Sequence, residues 1–401
     1  MTLLPDDLAG CWHRAGWVIQ DPDTILRDAM VHVRGHRITD VKSGRKIGPD
    51  PIVDHGPGAL IPALINPHTH LELGALKGML PLNQGFDTWI PHLIHTREKL
   101  TSAELTTGIS AGIHELLDSG CGAVGEIATL GLSRTPFLES PLCGVWFKEY
   151  IGNKEPNHDI QKMPPPPESL AGHAPHTTSP DLLVAVKEQT RRLRRPFSIH
   201  LAESKDEFDF IRTKSGIWAD LLAERGIDYS NWPLPAKSPV RYLDQLNLLD
   251  KNTLAVHLLN ADGPDFEILA RRRAHVTVCP RSNHHLHQRL PDLMGMQQAG
   301  LNISLGTDSL ASCDSLSIFD EMAFTAKKFP FLSPHEIFAM ATTNAAGALG
   351  QKDEIGRVAP GYRAALIYVP LSAAKRDILL EKLVTGPLTK PIERLNRHVT
   401  R

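Results

Sequence analysis

The 401-residue sequence predicts an α/β chain, and two patterns carry the prediction. Between Gly58 and Ser309 short apolar runs alternate with helix-like segments, and several runs stop at a residue able to do chemistry. The runs are Ala59–Ile65, Gly122–Ile127, Gly144–Phe147, Phe197–Ile199, Thr253–Val256, Ala274–Val278 and Asn302–Leu305, with Leu170–Gly172, leading into His173, as a poorer eighth. The residues where runs end include His68, Glu126, His200, His257 and Asp308. Strands alternating with helices make parallel βα units. Eight of them close into a (β/α)8 TIM barrel, whose site lies at the C-terminal ends of the strands.

The flanking elements follow from local signals. Gly16–Gln20, Ala29–Arg34 and Arg37–Val41 read as strands, the last two joined by a hairpin at Gly35-His36. Thr101-Ser102-Ala103-Glu104 is a capping box opening a helix with Leu105, Ile109, Ile113, Leu116 and Leu117 on one face. Ser333-Pro334-His335-Glu336 is a second capping box, opening a helix that runs toward Gly350. Gly356–Val358 and Ala364–Val369 read as two further strands. The expected architecture is a small β-sandwich domain from residues 1–58 and 355–401 around a barrel of residues 59–354. Pro164–Pro167 must be extended, and the tail after Pro387 carries no pattern.

Composition narrows the function. Apolar residues make up 41% and charged residues 22%, and a chain of this length buries a large core without disulfides. Lys plus Arg (43) balances Asp plus Glu (45), and aromatics are 6%, which argues against a nucleic-acid surface. No run approaches 18 apolar residues, so no membrane partner is expected. The opening MTLLPDDLAGCWHRAGW has neither a basic region nor an apolar one of secretory type. Cys11, Cys121, Cys143, Cys279 and Cys313 are odd in number and dispersed, as reduced thiols of a cytoplasmic protein would be.

Three motif matches fail on context. Gly120–Gly125 spells G-x-G-x-x-G but follows a helix and opens a strand, the reverse of a dinucleotide fingerprint. Gly108-Ile109-Ser110-Ala111-Gly112 spells a nucleophile elbow, yet Ser110 falls inside the capped helix. His70-Leu71-Glu72 matches half of the cytidine-deaminase zinc signature, and the P-C-x-x-C half is absent.

One constellation survives. In Pro67-His68-Thr69-His70 the two imidazoles lie two residues apart on an extended segment and point the same way. Among 20 histidines an isolated H-x-H is weak, but His200, His257 and Asp308 end their own runs on the same expected rim. Imidazole nitrogens with a carboxylate suit a borderline divalent cation such as Zn²⁺. His284, His285 and His287 form a further cluster, read as lining the pocket mouth or facing solvent.

These pieces resemble the amidohydrolase superfamily, in its metal-dependent deaminase branch. The matching segments are Leu64–His70, Gly172–Pro180, His200-Leu201-Ala202-Glu203, His257-Leu258, Cys279-Pro280-Arg281-Ser282-Asn283 and Gly306–Ser309. Within the branch the likeness is greatest to methylthioadenosine/S-adenosylhomocysteine deaminases. His68–Glu72 and Gly85–Trp89 also resemble aminodeoxyfutalosine deaminases. The resemblance implies one divalent metal, Zn²⁺ or else Fe²⁺ or Mn²⁺, on His68, His70, His200 and Asp308. It implies that Asp308 takes a proton from the attacking water, that His257 orients that water, and that Glu203 protonates the ring nitrogen beside the attacked carbon. His173 matches a substrate-contacting position. Trp89 is expected to stack on substrate or pack the barrel lid. Glu72 reads a substrate group or pairs with Lys77, and Glu149 could reach the rim. Binuclear relatives carry a modified lysine, for which Lys148 is the only strand-borne candidate.

The implied reaction is hydrolytic deamination of an aminopurine nucleoside of adenosine, methylthioadenosine, S-adenosylhomocysteine or aminodeoxyfutalosine type. Guanine or cytosine deamination, triazine dechlorination and cyclic-amide opening of the imidazolonepropionase type are the alternatives, with a non-catalytic binding module more remote. A homodimer or larger homo-oligomer is expected from the same resemblance.

Overall fold

The computed structural model describes residues 10–44, 48–154, 168–371, 375–386 and 392–395. Pro164–Pro167 and all of the tail after Pro387 except 392–395 lie outside them. Strands β1 (Cys11–Ile19), β2 (Ile25–Arg34), β3 (Arg37–Ser43), β4 (Ile52–Asp54) and β5 (Ala59–Pro62) come first. The barrel strands follow: β6 (Leu64–Thr69), β7 (Cys121–Ala128), β8 (Cys143–Tyr150), β9 (Glu168–Gly172), β10 (Phe197–Leu201), β11 (Thr253–His257), β12 (His275–Val278) and β13 (Asn302–Leu305). Then come β14 (Leu366–Val369) and β15 (Glu393–Arg394).

Strands β6 to β13 form an eight-stranded parallel sheet in sequence order. The seam closes at the C-terminal rim, where Thr69 bridges Asp308, His70 N–H donates to the Asp308 carbonyl at 3.1 Å, and Asp308 N–H donates to the His68 carbonyl at 3.2 Å. Asn66 stitches the same seam, its amide donating to Thr307 Oγ1 at 2.7 Å and accepting from Thr307 N–H at 3.2 Å. Parallel strands buried on both faces read as near-continuous apolar runs, which is why the eight are legible in the sequence.

The small domain is one seven-stranded sheet, ordered β15-β14-β5-β1-β2-β3 with β4 beside β1. Here the structure corrects three expectations. The run Ala59–Ile65 is two strands, with β5 pairing antiparallel to β14 in the small sheet, although the expected boundary puts it with the barrel. Gly356–Val358 is not a strand; Val358 N–H donates to the Gln20 carbonyl and its own carbonyl accepts from the Gln20 side chain. The helix opened by Ser333 ends at Ala341, and a second one, Thr343–Ala348, follows a break at Thr342 (φ −133°, ψ −89°). Both capping boxes form as expected.

Two of the failed motifs have packing explanations. A Cβ on Gly108 would stand 2.2 Å from the Ala75 nitrogen, so this glycine lets helix Ser102–Asp118 lie against the turn Leu71–Leu76. Ser110 donates to the Thr106 carbonyl within that helix. A Cβ on Gly125 would stand 2.1 Å from the Pro67 carbonyl oxygen, so the glycine serves the close approach of β7 to β6. All five cysteines are free thiols. Among the described residues no helix is long and apolar enough to cross a membrane.

Candidate metal centre and active site

The rim gathers side chains from six of the eight strand ends. His68 and His70 come from the end of β6, Glu149 from β8, His173 from just after β9, His200 from β10, His257 from β11 and Asp308 from just after β13. Four residues here that are not glycine hold positive φ: Ala202 (52°), His257 (77°), Leu258 (54°) and Asp308 (61°). Such backbone is uncommon outside glycine and clusters at functional sites, where surrounding structure holds it in place. Leu258 N–H to the Leu201 carbonyl and Asn260 N–H to the Ala202 carbonyl hold it here.

His68, His70, His200 and Asp308 converge. His70 Nε2 lies 3.2 Å from His200 Nε2 and 3.7 Å from Asp308 Oδ1, and the His68 ring centre is 4.9 Å from those of both His70 and His200. His200 Nδ1 donates to the His173 carbonyl at 2.7 Å, which fixes the tautomer and leaves the Nε2 lone pair facing His70. Asp308 Oδ2 accepts from the hydroxyls of Ser282 (2.6 Å) and Ser312 (2.9 Å), which orients Oδ1 toward His70. Both ring nitrogens of the fully buried His68 lack any hydrogen-bond partner in the structure. A buried polar group left so is costly, and groups of this kind are paired or coordinate a metal.

The residues therefore fit a metal ion. Two tetrahedral ligands about 2.0–2.1 Å from one zinc stand about 3.3 Å apart, close to the His70–His200 separation. The ligand atoms of His68, His70 and Asp308 lie within 4.8 Å of one another, as do those of His68, His200 and His257. Burial drives the His68 pKa well down, helped by the facing imidazoles, and burial with His173 brings His200 down to about 4. Neutral rings are the form that ligates a metal.

Beside this set stand Glu203 and His257. Asn283 Nδ2 donates to His257 Nδ1 at 3.0 Å, so the ring proton sits on Nε2, 3.8 Å from Glu203 Oε1. Burial would raise the Glu203 pKa, but His257 and His287 hold the carboxyl far below its ordinary range. Glu203 precedes the helix Lys205–Thr213, whose cap is Ser204, and its N–H donates to Glu207 at 2.7 Å. The carboxylate is thus free of capping work.

The remaining expected contacts divide. His173 Nδ1 bonds Thr177 Oγ1 at 2.6 Å, and its ring lies 5.0 Å from His200. Glu149 is buried with Oε2 held by Thr129 at 2.6 Å and Oε1 unpartnered, 3.7 Å from His200 Nδ1. Burial raises its pKa, yet His173, His200 and His70 bring the balance below the ordinary value. Trp89 lies among Leu76, Leu80, Leu286 and Ala311 and donates its indole N–H to the Ala311 carbonyl at 3.2 Å. Glu72 accepts the N–H groups of Leu130 (2.6 Å) and Ser133 (3.2 Å), while Lys77 pairs with Glu115 instead. Lys148 donates to the Thr129 carbonyl at 2.5 Å. The histidine cluster splits, since His285 Nδ1 bonds the Ser312 carbonyl at 3.0 Å and His287 Nε2 reaches Glu203 Oε1 at 3.3 Å. The sequence marks His287 only as part of its histidine cluster, with nothing to pair it with Glu203, and Ser312 carries no local signal.

Comparisons with known proteins bear on the family and the fold. Residues 59–393 match the profile of the amidohydrolase family. The 5-methylthioadenosine/S-adenosylhomocysteine deaminase of Pyrococcus horikoshii is 29% identical, with 95% of this chain and 89% of the relative covered. The crystal structure of Helicobacter pylori aminofutalosine deaminase in complex with methylthio-coformycin superposes with a TM-score of 0.83 at 24% identity, covering 95% of this chain and 97% of that one. An adenosine deaminase from Xanthomonas campestris with bound zinc gives 0.79 at 24%, covering 93% and 88%. At these identities the two solved structures speak for the fold.

Proposed function

The chain belongs to the amidohydrolase family, and from that premise we propose that it is a hydrolase acting on carbon–nitrogen bonds other than peptide bonds. It removes the amino group of an adenosine-like nucleoside as ammonia and leaves the oxo product. The observation that carries this reading is Glu203 Oε1 beside His257 Nε2 at 3.8 Å, next to a rim of facing imidazoles and a carboxylate. The name of the Pyrococcus horikoshii relative and that of the Helicobacter pylori neighbour support the nucleoside class.

His68, His70, His200 and Asp308 would hold one divalent ion, with zinc the first choice given the Xanthomonas campestris neighbour and iron or manganese as alternatives. Such an ion supplies an activated water at neutral pH, lowering its pKa from about 15.7 toward roughly 7. Asp308 accepts a proton from the attacking water while Ser282 and Ser312 keep its other oxygen occupied. His257, held by Asn283, orients that water with its Nε2–H. Glu203, ionised at rest, carries the water's other proton to the ring nitrogen beside the attacked carbon, which makes the C=N bond electrophilic, and Asp308 passes its proton to the amino group, so that the tetrahedral adduct loses ammonia. Water adds one oxygen and two hydrogens, and the amino nitrogen leaves as NH₃. Positioned proton transfer of this kind contributes about 10²–10⁴-fold.

His173 and Glu149 remain the substrate contacts of this reading, because the unpartnered Glu149 Oε1 can accept a substrate hydroxyl. Trp89 and Glu72 are engaged elsewhere. A cytoplasmic homodimer or larger assembly belongs to the same reading, and light scattering showing only a 44.2 kDa species would reject the assembly. The test of function is ammonia release by metal-loaded protein from adenosine, methylthioadenosine, S-adenosylhomocysteine and aminodeoxyfutalosine, with guanine, cytosine and a chlorotriazine beside them. Release from at least one adenosine-type nucleoside is expected. Turnover of only guanine, cytosine or the triazine would overturn the reading.

A further inference from the structure

One short helix, Pro280–His287, touches every residue to which a proton-handling role is proposed. Ser282 donates to Asp308 at 2.6 Å, Asn283 donates to His257 at 3.0 Å, and His287 Nε2 lies 3.3 Å from Glu203 Oε1. The first two partners sit near the start of the helix. His287 is its last residue, about one turn further on, and reaches the third group from there.

We propose that His287 is a positioning residue for Glu203. Its Nε2–H takes Oε1, the same oxygen that faces His257 at 3.8 Å, and among the described residues no hydrogen bond engages Oε2. The carboxylate is thereby held by one oxygen and presents the other to the substrate ring nitrogen. His287 is itself held. Phe86 covers its ring at 4.6 Å with the planes 31° apart, and Phe86 in turn stacks on Trp89. The segment ahead of Phe86 is clipped to the same helix end: Asn83 N–H donates to the His285 carbonyl at 3.0 Å and Gln288 Nε2 to Asn83 Oδ1 at 2.8 Å. The helix Phe86–Glu98 therefore acts on the chemistry through His287, as a brace behind the proton carrier.

This inference rests on the assignment of Glu203 as proton carrier, and the experiment separates the two. His287→Ala, His287→Gln, Glu203→Gln and the double variant Glu203→Gln/His287→Ala are assayed in metal-loaded form on the nucleoside turned over best, with metal content measured on each. His287→Ala should lower kcat by about 10- to 100-fold, leave KM within about threefold and keep the metal, because misplacing a reacting group costs turnover more than ground-state binding. His287→Gln keeps an N–H donor and should recover most of the loss. In the Glu203→Gln background, where no proton is left to position, His287→Ala should cost no more than about twofold. A His287→Ala enzyme at the wild-type kcat, a loss seen only in KM, or the same full loss in both backgrounds would overturn the positioning role alone. A Glu203→Gln enzyme at the wild-type rate would remove Glu203 from the mechanism and this inference with it.

Discussion

At the N-terminal end of the barrel, Lys187 is buried on the helix Pro180–Arg192 and its ammonium donates to Asp250 Oδ1 and Thr253 Oγ1, both at 2.8 Å. Asp250 also accepts from Arg191 Nε at 3.0 Å and from Asn252 N–H at 2.9 Å. At the opposite end, His68 has two buried nitrogens with no partner and Glu149 has one such oxygen. Lys187 and His68 are both buried, yet one end pairs its charges within the chain and the other leaves lone pairs facing a common centre. Buried polar groups are expected to be satisfied. Unpartnered atoms also occur away from the rim, as at Tyr242 and Trp218, so what sets the site apart is that its unpartnered imidazole and carboxylate atoms face one another.

The largest expected effect breaks the rim. His200→Ala removes one of four proposed ligands, and both metal and activity should go, with turnover down at least about 10³-fold. Metal analysis and ammonia release on the same sample check it. Next is Glu203→Gln, which keeps the shape but not the exchangeable proton; turnover should fall about 10²–10⁴-fold with metal content unchanged.

Substitution at the other end should reverse the pattern. Lys187→Ala leaves a cavity and strips Asp250 and Thr253 of a donor, so it should cost about 2–4 kcal/mol in denaturant unfolding while kcat stays near wild type. A large loss of kcat with native stability would mean the two ends are not independent.

The smallest effect concerns pH. Burial pulls the Lys187 ammonium down to about 8, although Asp250 pulls the other way. The folded chain then binds fewer protons than the unfolded chain between about pH 8 and pH 10.4, so this group's contribution to stability rises with pH across that window. Between pH 8 and pH 9 wild type should gain about 1 kcal/mol relative to Lys187→Ala. A constant difference between the two unfolding curves would reject the depressed lysine.

The barrel and its ligands are legible in the sequence for one physical reason. A strand buried on both faces is largely apolar until it reaches the rim, so a bulky polar residue that ends the run marks the site, as His200 does after Phe197-Ser198-Ile199. The same rule hides the split between β5 and β6, because the chain changes partner from β14 to β7 around Ala63 without interrupting the apolar run. Gly356–Val358 is misread as a strand because what holds it, the backbone and side chain of Gln20 on Val358, lies 338 residues away along the chain. The residues that aim the site are harder still. Ser312 reaches Asp308 through a loop, and His287 reaches Glu203 from a helix end 84 residues on. Neither approach follows from local pattern, since each depends on how a loop or short helix docks after the barrel has closed.

The central claim is that the unpartnered groups at the rim exist for one metal ion. Elemental analysis of purified, extensively dialysed wild-type protein tests it most directly. The account predicts close to one divalent ion per chain, retained in Glu203→Gln and lost in His200→Ala. Two tightly held ions with a modified Lys148, or protein that binds none after exposure to zinc, iron and manganese, would contradict it.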